Sequence, residues 1–408
     1  MVNFNFVKFK TNYMKILHLF FITTLSLLLF IKCEEIQKME NVQNKIEEIK
    51  SKYAPDKRTA IFDISYTSKD DNVILVGESD QTEAVEEIMT YLNNSGIKFI
   101  NQVKLLPDEN LGEEKFGIVN LSVANLRTKP AHPAEMATQS LLGTCVNVLQ
   151  KDNGWYQVQT PDKYISWVDD EGIILVDSLK LKNWKNSKKI FFNKQYGHVF
   201  SKPNNNSPKI SDIVFGSVLR YQNKFTDFVE VEFPDGRIGF VKVSECIDFN
   251  EWINAIDVNP DSIINTAKEF MGIPYLWGGT SSKGLDCSGF SKTVYYANGI
   301  ILPRDASQQV FSGDLVDTEN DFENLQKGDL LFFGFSTDGN KKERITHVAI
   351  YIGNKNFIHA SGKVKINSID KNSEIFDEFR LKTFIRAKRI LGSFDNGENL
   401  IKNNSFYF

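Results

Sequence analysis

Cysteine is scarce in this chain: four in 408 residues, at positions 33, 145, 246 and 287, with no C-x-x-C pair. That excludes a disulfide framework and, with no Cys/His cluster at zinc spacing, a structural zinc site. Cys145 and Cys246 stand in apolar, strand-like runs and read as buried core residues. Histidine is nearly as rare, with five. No basic block occurs outside the extreme N-terminus and the net charge is −4, so no nucleic-acid partner is expected. Long Pro, Gly or Ser tracts are absent, which excludes a fibre, and a 25% charged fraction with 12% aromatic residues excludes a disordered chain. A mildly acidic globular protein is left, too long for one core. At roughly 100–200 residues per domain, about two to four domains are expected.

Residues 16–31 (ILHLFFITTLSLLLFI) form an apolar run preceded by Lys8, Lys10 and Lys15. A charged n-region followed by an h-region is the pattern of an export signal, and the run falls short of the about 20 residues that span a membrane. It ends at Lys32-Cys33-Glu34-Glu35, and a Cys at that place resembles the lipid-attachment Cys of bacterial lipoproteins, although Lys32 sits where that pattern has a small residue. Residues 1–33 are therefore expected to be an export signal or lipoprotein signal, with an uncleaved anchor as the alternative. The expected location is outside the cytoplasm: cell envelope, periplasm or, through the N-terminus, attached to a membrane.

Residues 36–113 read as a small α+β domain: a helix carrying Ile36, Met39, Val42, Ile46 and Ile49 at spacings of three and four, then strands, a helix over 82–94 and a further strand, closed by Pro107. Nothing in it suggests a role beyond spacing or interaction. Two all-β units follow, at 115–180 and 187–248, built from short alternating runs with turns at Asn153-Gly154 and Pro234-Asp235-Gly236. Units of this size imply small barrels. Asn125-Leu-Arg127, Gly154-Trp155-Tyr156 and Tyr164-Ile-Ser-Trp167 resemble bacterial SH3-like domains, with the second unit a looser match. Residues 260–392 place helices first and an antiparallel sheet after, an α+β pattern. A tail of 393–408 ends the chain. The fold class expected is thus multidomain.

Chemistry concentrates in 260–392. Asp286-Cys287 opens a helix running to Ala297, where first-turn N–H groups and the helix dipole favour a thiolate. Such a nucleophile needs a base and an orienting partner. His347 and His359 are the only histidines in this region, both in apolar strands, where a lone His is ordinarily structural. They share a sheet face only if the intervening hairpin has an odd-numbered loop around 353–355 rather than a two-residue turn. The odd loop is the expectation, with His347 as base and His359 fixing its tautomer. No metal or other cofactor is needed: Asp286, Asp305 and Asp329 are not spaced as a ligand set with the histidines.

Six ordered motifs carry a family resemblance: Pro274-Tyr275-Leu-Trp277-Gly278-Gly279, Asp286-Cys287-Ser288-Gly289-Phe290, Arg304-Asp305 with Gln308, Gly328-Asp329-Leu-Leu-Phe-Phe, Thr346-His347-Val348 and Phe357-Ile358-His359-Ala360. Together they resemble the NlpC/p60 cell-wall cysteine peptidases, and with SH3-like domains ahead the chain is most similar to the γ-D-glutamyl-L-diamino acid endopeptidases (dipeptidyl-peptidase VI). The resemblance implies a papain-like fold and hydrolysis of the γ-D-Glu–diamino acid bond in murein stem peptides, L-Ala-γ-D-Glu-diamino acid, with a free N-terminal L-Ala. It implies Cys287 as nucleophile, His347 as base, His359 as third triad member and Tyr275 near the oxyanion. Asp286 and Ser288 would face the substrate's ammonium and D-Glu carboxylate, and Arg304 and Asp305 would shape the same pocket. Glu135 and Tyr164, from the first β unit, would close it on the free amine. Taken alone, Tyr275 reads equally as a core aromatic, Arg304 as half of a structural ion pair and Glu135 as a solvated surface acid.

Other readings stay open on sequence. A wall-peptide-binding envelope protein with an inactive peptidase domain would bind stem peptides without turnover. A different thiol enzyme, an acyltransferase or amidase, would be indifferent to Glu135 and Tyr164. A purely structural envelope lipoprotein would do neither.

Overall fold

The computed structural model describes residues 17–23, 37–69, 72–336, 343–393, 397 and 399–408. Cys33 and most of the apolar run lie outside the described residues. Among those described, no helix is long and apolar enough to cross a membrane. The chain divides between Leu106 and Pro107 into two compact units.

In the first unit, helix α1 (37–53) buries Val42, Ile46 and Ile49, the stripe visible in the sequence. Strands β1 (Phe62–Lys69) and β2 (Asn72–Ser79) form an antiparallel pair. Helix α2 (Thr82–Asn94) then crosses back so that β3 (Phe99–Leu105) lies parallel to β2. Ala84, Val85, Ile88 and Leu92 of α2 pack into the same core.

The second unit begins with two all-β sheets. The first comprises β4 (Phe116–Val119), β5 (Val123–Arg127), β6 (Met136–Leu141), β7 (Cys145–Asp152), β8 (Trp155–Gln159), β9 (Ile165–Asp169) and β10 (Ile173–Val176), in the spatial order β6-β5-β9-β8-β7-β4-β10. Helix α3 (Ser178–Asn186) leads into β11 (Lys189–Phe192), β12 (Tyr196–Phe200), β13 (Lys209–Val214), β14 (Val218–Lys224), β15 (Phe228–Glu232), β16 (Ile238–Lys242) and β17 (Cys246–Asp248), in the order β13-β12-β16-β15-β14-β11-β17. The two orders are the same arrangement with every strand advanced by seven. Asn153 and Gly154, both left-handed (φ 43° and 83°), form the two-residue β7–β8 turn, as the sequence predicts. Cys145 and Cys246 are buried and free.

Helix α4 (Phe249–Ala255), which sequence patterning did not mark, stacks Trp252 on Phe191 with ring centroids 3.8 Å apart. Helix α5 (Pro260–Glu269) starts at an Asn259 cap with Pro260 in its first turn. A short hairpin of β18 (Thr280–Ser281) and β19 (Gly284–Leu285) precedes α6 (Cys287–Ala297) and α7 (Ala306–Gln309). An antiparallel six-stranded sheet follows: β20 (Asp314–Val316), β21 (Leu330–Ser336), β22 (Glu343–Gly353), β23 (Asn356–Ser361), β24 (Lys363–Ser368) and, after α8 (Glu378–Thr383), β25 (Phe384–Arg389), ordered β20-β25-β21-β22-β23-β24. Alternation sorts its residues. Phe332, Val348, Ile350 and Ile358 share a core with α5 and α6, while Phe333, Ala349, Tyr351 and Phe357 form a second core on the opposite face. Each fully buried Val, Ile or Phe among them contributes about 1.5–3 kcal/mol. Asp329 is a structural acid, paired with Arg389 at 2.8 Å. The end of the chain is not a loose tail: Ile401 is fully buried, and Tyr407 lies against Tyr296 and Phe249.

Candidate active site

Cys287 is the first residue of α6, and the capping residue, Asp286, accepts the Gly289 N–H at 2.7 Å. The helix start is clamped against the preceding turn so closely that a side chain at Gly289 would meet the Gly279 carbonyl oxygen at 2.0 Å. The thiol is buried, 7% exposed, and the backbone N–H groups of Val348 and Ser288 face it. The helix-start argument alone favours a thiolate. Burial, reinforced by the Asp286 charge, outweighs it and pushes the thiol up to about 11. Cys287 therefore rests as a neutral thiol that needs a base at the moment of attack.

His347 is the candidate base, and the N–H of its chain neighbour Val348 is one of the two that face the sulphur. His347 sits on β22 beside a register break: Phe333 pairs with His347 and Gly334 with Ile345, leaving Thr346 as an extra residue. Such a bulge bends a strand and re-aims the neighbouring side chain. A second break at the far end of β22 decides the register with β23. The turn itself has two residues, Asn354 and Lys355 (φ 52° and 59°), contrary to the odd loop expected. An unpaired Ile352 between Tyr351 and Gly353 restores odd spacing, so Tyr351 pairs with Phe357 and the two histidines share a face as expected.

The histidines form a relay. His347 Nε2 and His359 Nδ1 are 2.8 Å apart, and His359 Nε2 is 3.0 Å from Asn367 Oδ1 on β24. Asn367 Nδ2 donates to the Ile375 carbonyl at 3.1 Å, which orients the amide and leaves only its oxygen toward His359. His359 must then carry its proton on Nε2 and accept on Nδ1, so His347 donates from Nε2. The lone pair of His347 is left on Nδ1. Burial, then the charge of Arg380, holds His347 well below the ordinary value for histidine, and burial takes His359 down to about 4, so both rest neutral. The sequence reading missed Asn367; an Asn two strands along a short meander carries no local signal.

Tyr275 lies half-buried. Burial and the nearby Cys287 and Asp286 charges raise its phenol, and among the described residues its hydroxyl has no hydrogen-bond partner. It is available as a donor. Asp286 is saturated instead: besides its cap it accepts the Gly278 N–H at 3.0 Å and both ends of the Arg304 guanidinium, at 3.1 and 2.5 Å. Arg304 also donates to Ser288 Oγ at 3.0 Å and to Thr138 Oγ1 of β6 at 3.0 Å. At 1% exposure Arg304 reaches the site only through Asp286 and Ser288.

The first β unit closes the other side. Gln139 of β6 accepts from Thr280 and Ser281, each at 3.0 Å, and buried Asp162 pairs with Lys292 at 2.6 Å. The Tyr164 hydroxyl donates to Asp305 at 3.3 Å, and the exposed Trp277 indole donates to Glu135 at 2.6 Å. Gly278 (φ 80°) permits this approach, since a side chain there would lie 2.3 Å from the Met136 carbonyl oxygen. Glu135 and Tyr164 thus stand beside the Tyr275–Gly278 turn and the Arg304-Asp305 pair. Among the described residues, no group of three His, Cys, Asp or Glu side chains is placed to hold a metal ion.

Residues 272–380 match the NlpC/P60 family and residues 126–173 the bacterial dipeptidyl-peptidase Sh3 domain. The chain is 31% identical over 234 residues to a gamma-D-glutamyl-L-lysine dipeptidyl-peptidase of Bacillus cereus, covering 55% of this chain and 67% of the relative. It is 27% identical over 275 residues to dipeptidyl-peptidase 6 of Lysinibacillus sphaericus, covering 64% and 93% respectively. The crystal structure of an NlpC/P60 family protein from Bacillus cereus superposes with a TM-score of 0.56 at 26% identity, covering 68% of this chain and 99% of that one. With an SH3-like domain packed on a papain-like domain that bears a Cys and two linked histidines, the chain belongs to the NlpC/P60 family of cysteine peptidases.

Proposed function

We propose that this protein is an endopeptidase that hydrolyses the γ-D-Glu–diamino acid bond of murein stem peptides bearing a free N-terminal L-Ala, in cell-wall peptide turnover or recycling. The observation that carries this reading is the convergence of Glu135 and Tyr164 from the SH3-like domain on the Trp277 and Asp305 side of the nucleophile. A carboxylate closing a pocket pairs with an ammonium and rejects a chain that continues past it. Relatives from Bacillus cereus and Bacillus subtilis named gamma-D-glutamyl-L-lysine dipeptidyl-peptidase support the same substrate class.

In this reading His347 Nδ1 takes the Cys287 proton as sulphur attacks the γ-carbonyl of D-Glu. The developing oxyanion meets the Tyr275 hydroxyl and the α6 N-terminal N–H groups. His347, now imidazolium and held through Nε2 by His359, gives the proton to the departing amine, leaving a thioester on Cys287. Water, activated by His347, releases L-Ala-D-Glu. Arg304 acts as a positioning residue: its pairing saturates Asp286 and holds Ser288 where the D-Glu α-carboxylate lies, leaving the L-Ala ammonium to Glu135.

The second β unit, with its repeated strand order, is read as a second SH3-like domain, and the site of action as the cell envelope, with Cys33 as the candidate lipid attachment. Mass spectrometry of purified protein with L-Ala-γ-D-Glu-meso-diaminopimelate and its L-Lys counterpart tests the reading. Release of L-Ala-D-Glu, lost in Cys287→Ala, is expected. Binding of both peptides without cleavage would favour the inactive-domain alternative.

A further inference from the structure

Three of the five arginines in the peptidase domain hold carboxylates, while Arg344, exposed on β22, has no ion pair among the described residues. Arg304 holds Asp286, Arg386 holds Glu343 and Arg389 holds Asp329. Arg380 is different. It lies half-buried on α8, with its guanidinium 5.6 Å from the Phe333 ring and 5.4 Å from Phe379, and among the described residues it makes no ion pair or side-chain hydrogen bond. Phe333 is the ladder partner of His347, their rings 5.8 Å apart, so the unpaired cation stands one ring away from the catalytic base. Its charge is felt at His347, His359, Tyr275 and Cys287. The charge of Asp377, the cap of α8, is felt at Arg380 but forms no ion pair with it; a partly desolvated guanidinium so placed is under-compensated, and its planar fork matches a carboxylate.

The position of Arg380 selects which carboxylate. Glu135, Tyr164, Asp286 and Ser288 occupy the acyl side of Cys287, toward the SH3-like domain. His347 must touch the departing nitrogen, so the group beyond His347 faces the leaving diamino acid. On the substrate reading given above, we propose that Arg380 binds a carboxylate of that leaving residue: the α-carboxylate at a chain end, or the side-chain carboxylate of diaminopimelate. Binding would also aid the chemistry. An unpaired cation opposes formation of the His347 imidazolium, and a paired one does so less.

The test compares kcat/KM of wild type and Arg380→Gln on L-Ala-γ-D-Glu-L-Lys, its C-terminal amide, and the diaminopimelate peptide amidated at the α-carboxylate alone. Wild type is expected to prefer one carboxylate-bearing leaving group over the lysinamide by about tenfold or more, the range of a charge-assisted pair. The preferred arm identifies the α- or side-chain source. In Arg380→Gln that preference should collapse to within about threefold, and Arg380→Lys, which keeps charge without the fork, should fall between. No preference in wild type, or an equal loss on all three substrates, would overturn the assignment; the latter would make Arg380 purely electrostatic toward Cys287 and His347. Absence of cleavage by wild type on every substrate would instead remove the peptidase reading itself.

Discussion

Asn367 Oδ1 lies 3.0 Å from His359 Nε2, and that single contact fixes the proton positions of both histidines. Because the Ile375 carbonyl holds the other end of the amide, Asn367 can only accept, and the lone pair of His347 is pushed onto Nδ1.

Asn367→Leu removes the acceptor and leaves His359 free to adopt the other tautomer. kcat should fall by about 10²-fold, the lower end of what general-base catalysis contributes. Asn367→Asp keeps an acceptor and adds a charge that favours protonated histidine, so it should retain most activity while the acidic limb of kcat/KM moves to higher pH. Steady-state kinetics across pH distinguish the two. A wild-type profile for Asn367→Leu would show that the relay does not depend on Asn367.

The pH dependence follows from burial. A base held well below 6.5 stays neutral, and competent, down to mildly acidic pH, and activity is lost only as pH falls through that lowered value. The thiol, pushed up to about 11, does not titrate near neutrality. The alkaline limb should therefore report the substrate's α-amine, near about 8, which must be charged to meet Glu135. An acidic limb at or above 6.5, or an alkaline limb unaffected by blocking the amine, would contradict this.

Arg304→Met leaves the buried Asp286 carboxylate without its cation. Breaking one partner of a buried pair costs about 3–5 kcal/mol, read as a lowered denaturant midpoint. Arg304→Lys should recover only part, because one ammonium cannot serve Asp286, Ser288 and Thr138 together. A stability within about 0.5 kcal/mol of wild type for Arg304→Met, the range of a neutral surface change, would show that the pair does not hold the site.

Much of this was legible in the sequence, for physical reasons. The 3.6-residue stripe of α1 and the Asp-Cys start of α6 are local signals, and both elements form as read. The sheet face shared by His347 and His359 was deducible from period two. The device that secures it was not, because the bulges at Thr346 and Ile352 arise from pairing and twist rather than from any residue signature. Helix α4 escaped because its stabilisation is tertiary, the stacking of Trp252 on Phe191. Asn367, Arg380 and the saturation of Asp286 by Arg304 also depend on which strands and helices become neighbours. The thiol's state was misjudged because burial cannot be weighed against a helix terminus without coordinates.

The central claim is that the SH3-like domain and the peptidase domain read a free amine together. The most direct measurement is kcat/KM for L-Ala-γ-D-Glu-L-Lys against its N-acetylated form, in wild type and Glu135→Gln. Wild type should prefer the free peptide strongly, and Glu135→Gln should lower kcat/KM for it by about 10–10²-fold, the worth of a charge-assisted contact, with little change on the acetylated form. Equal cutting of both peptides by wild type, or an unchanged preference in Glu135→Gln, would contradict the account.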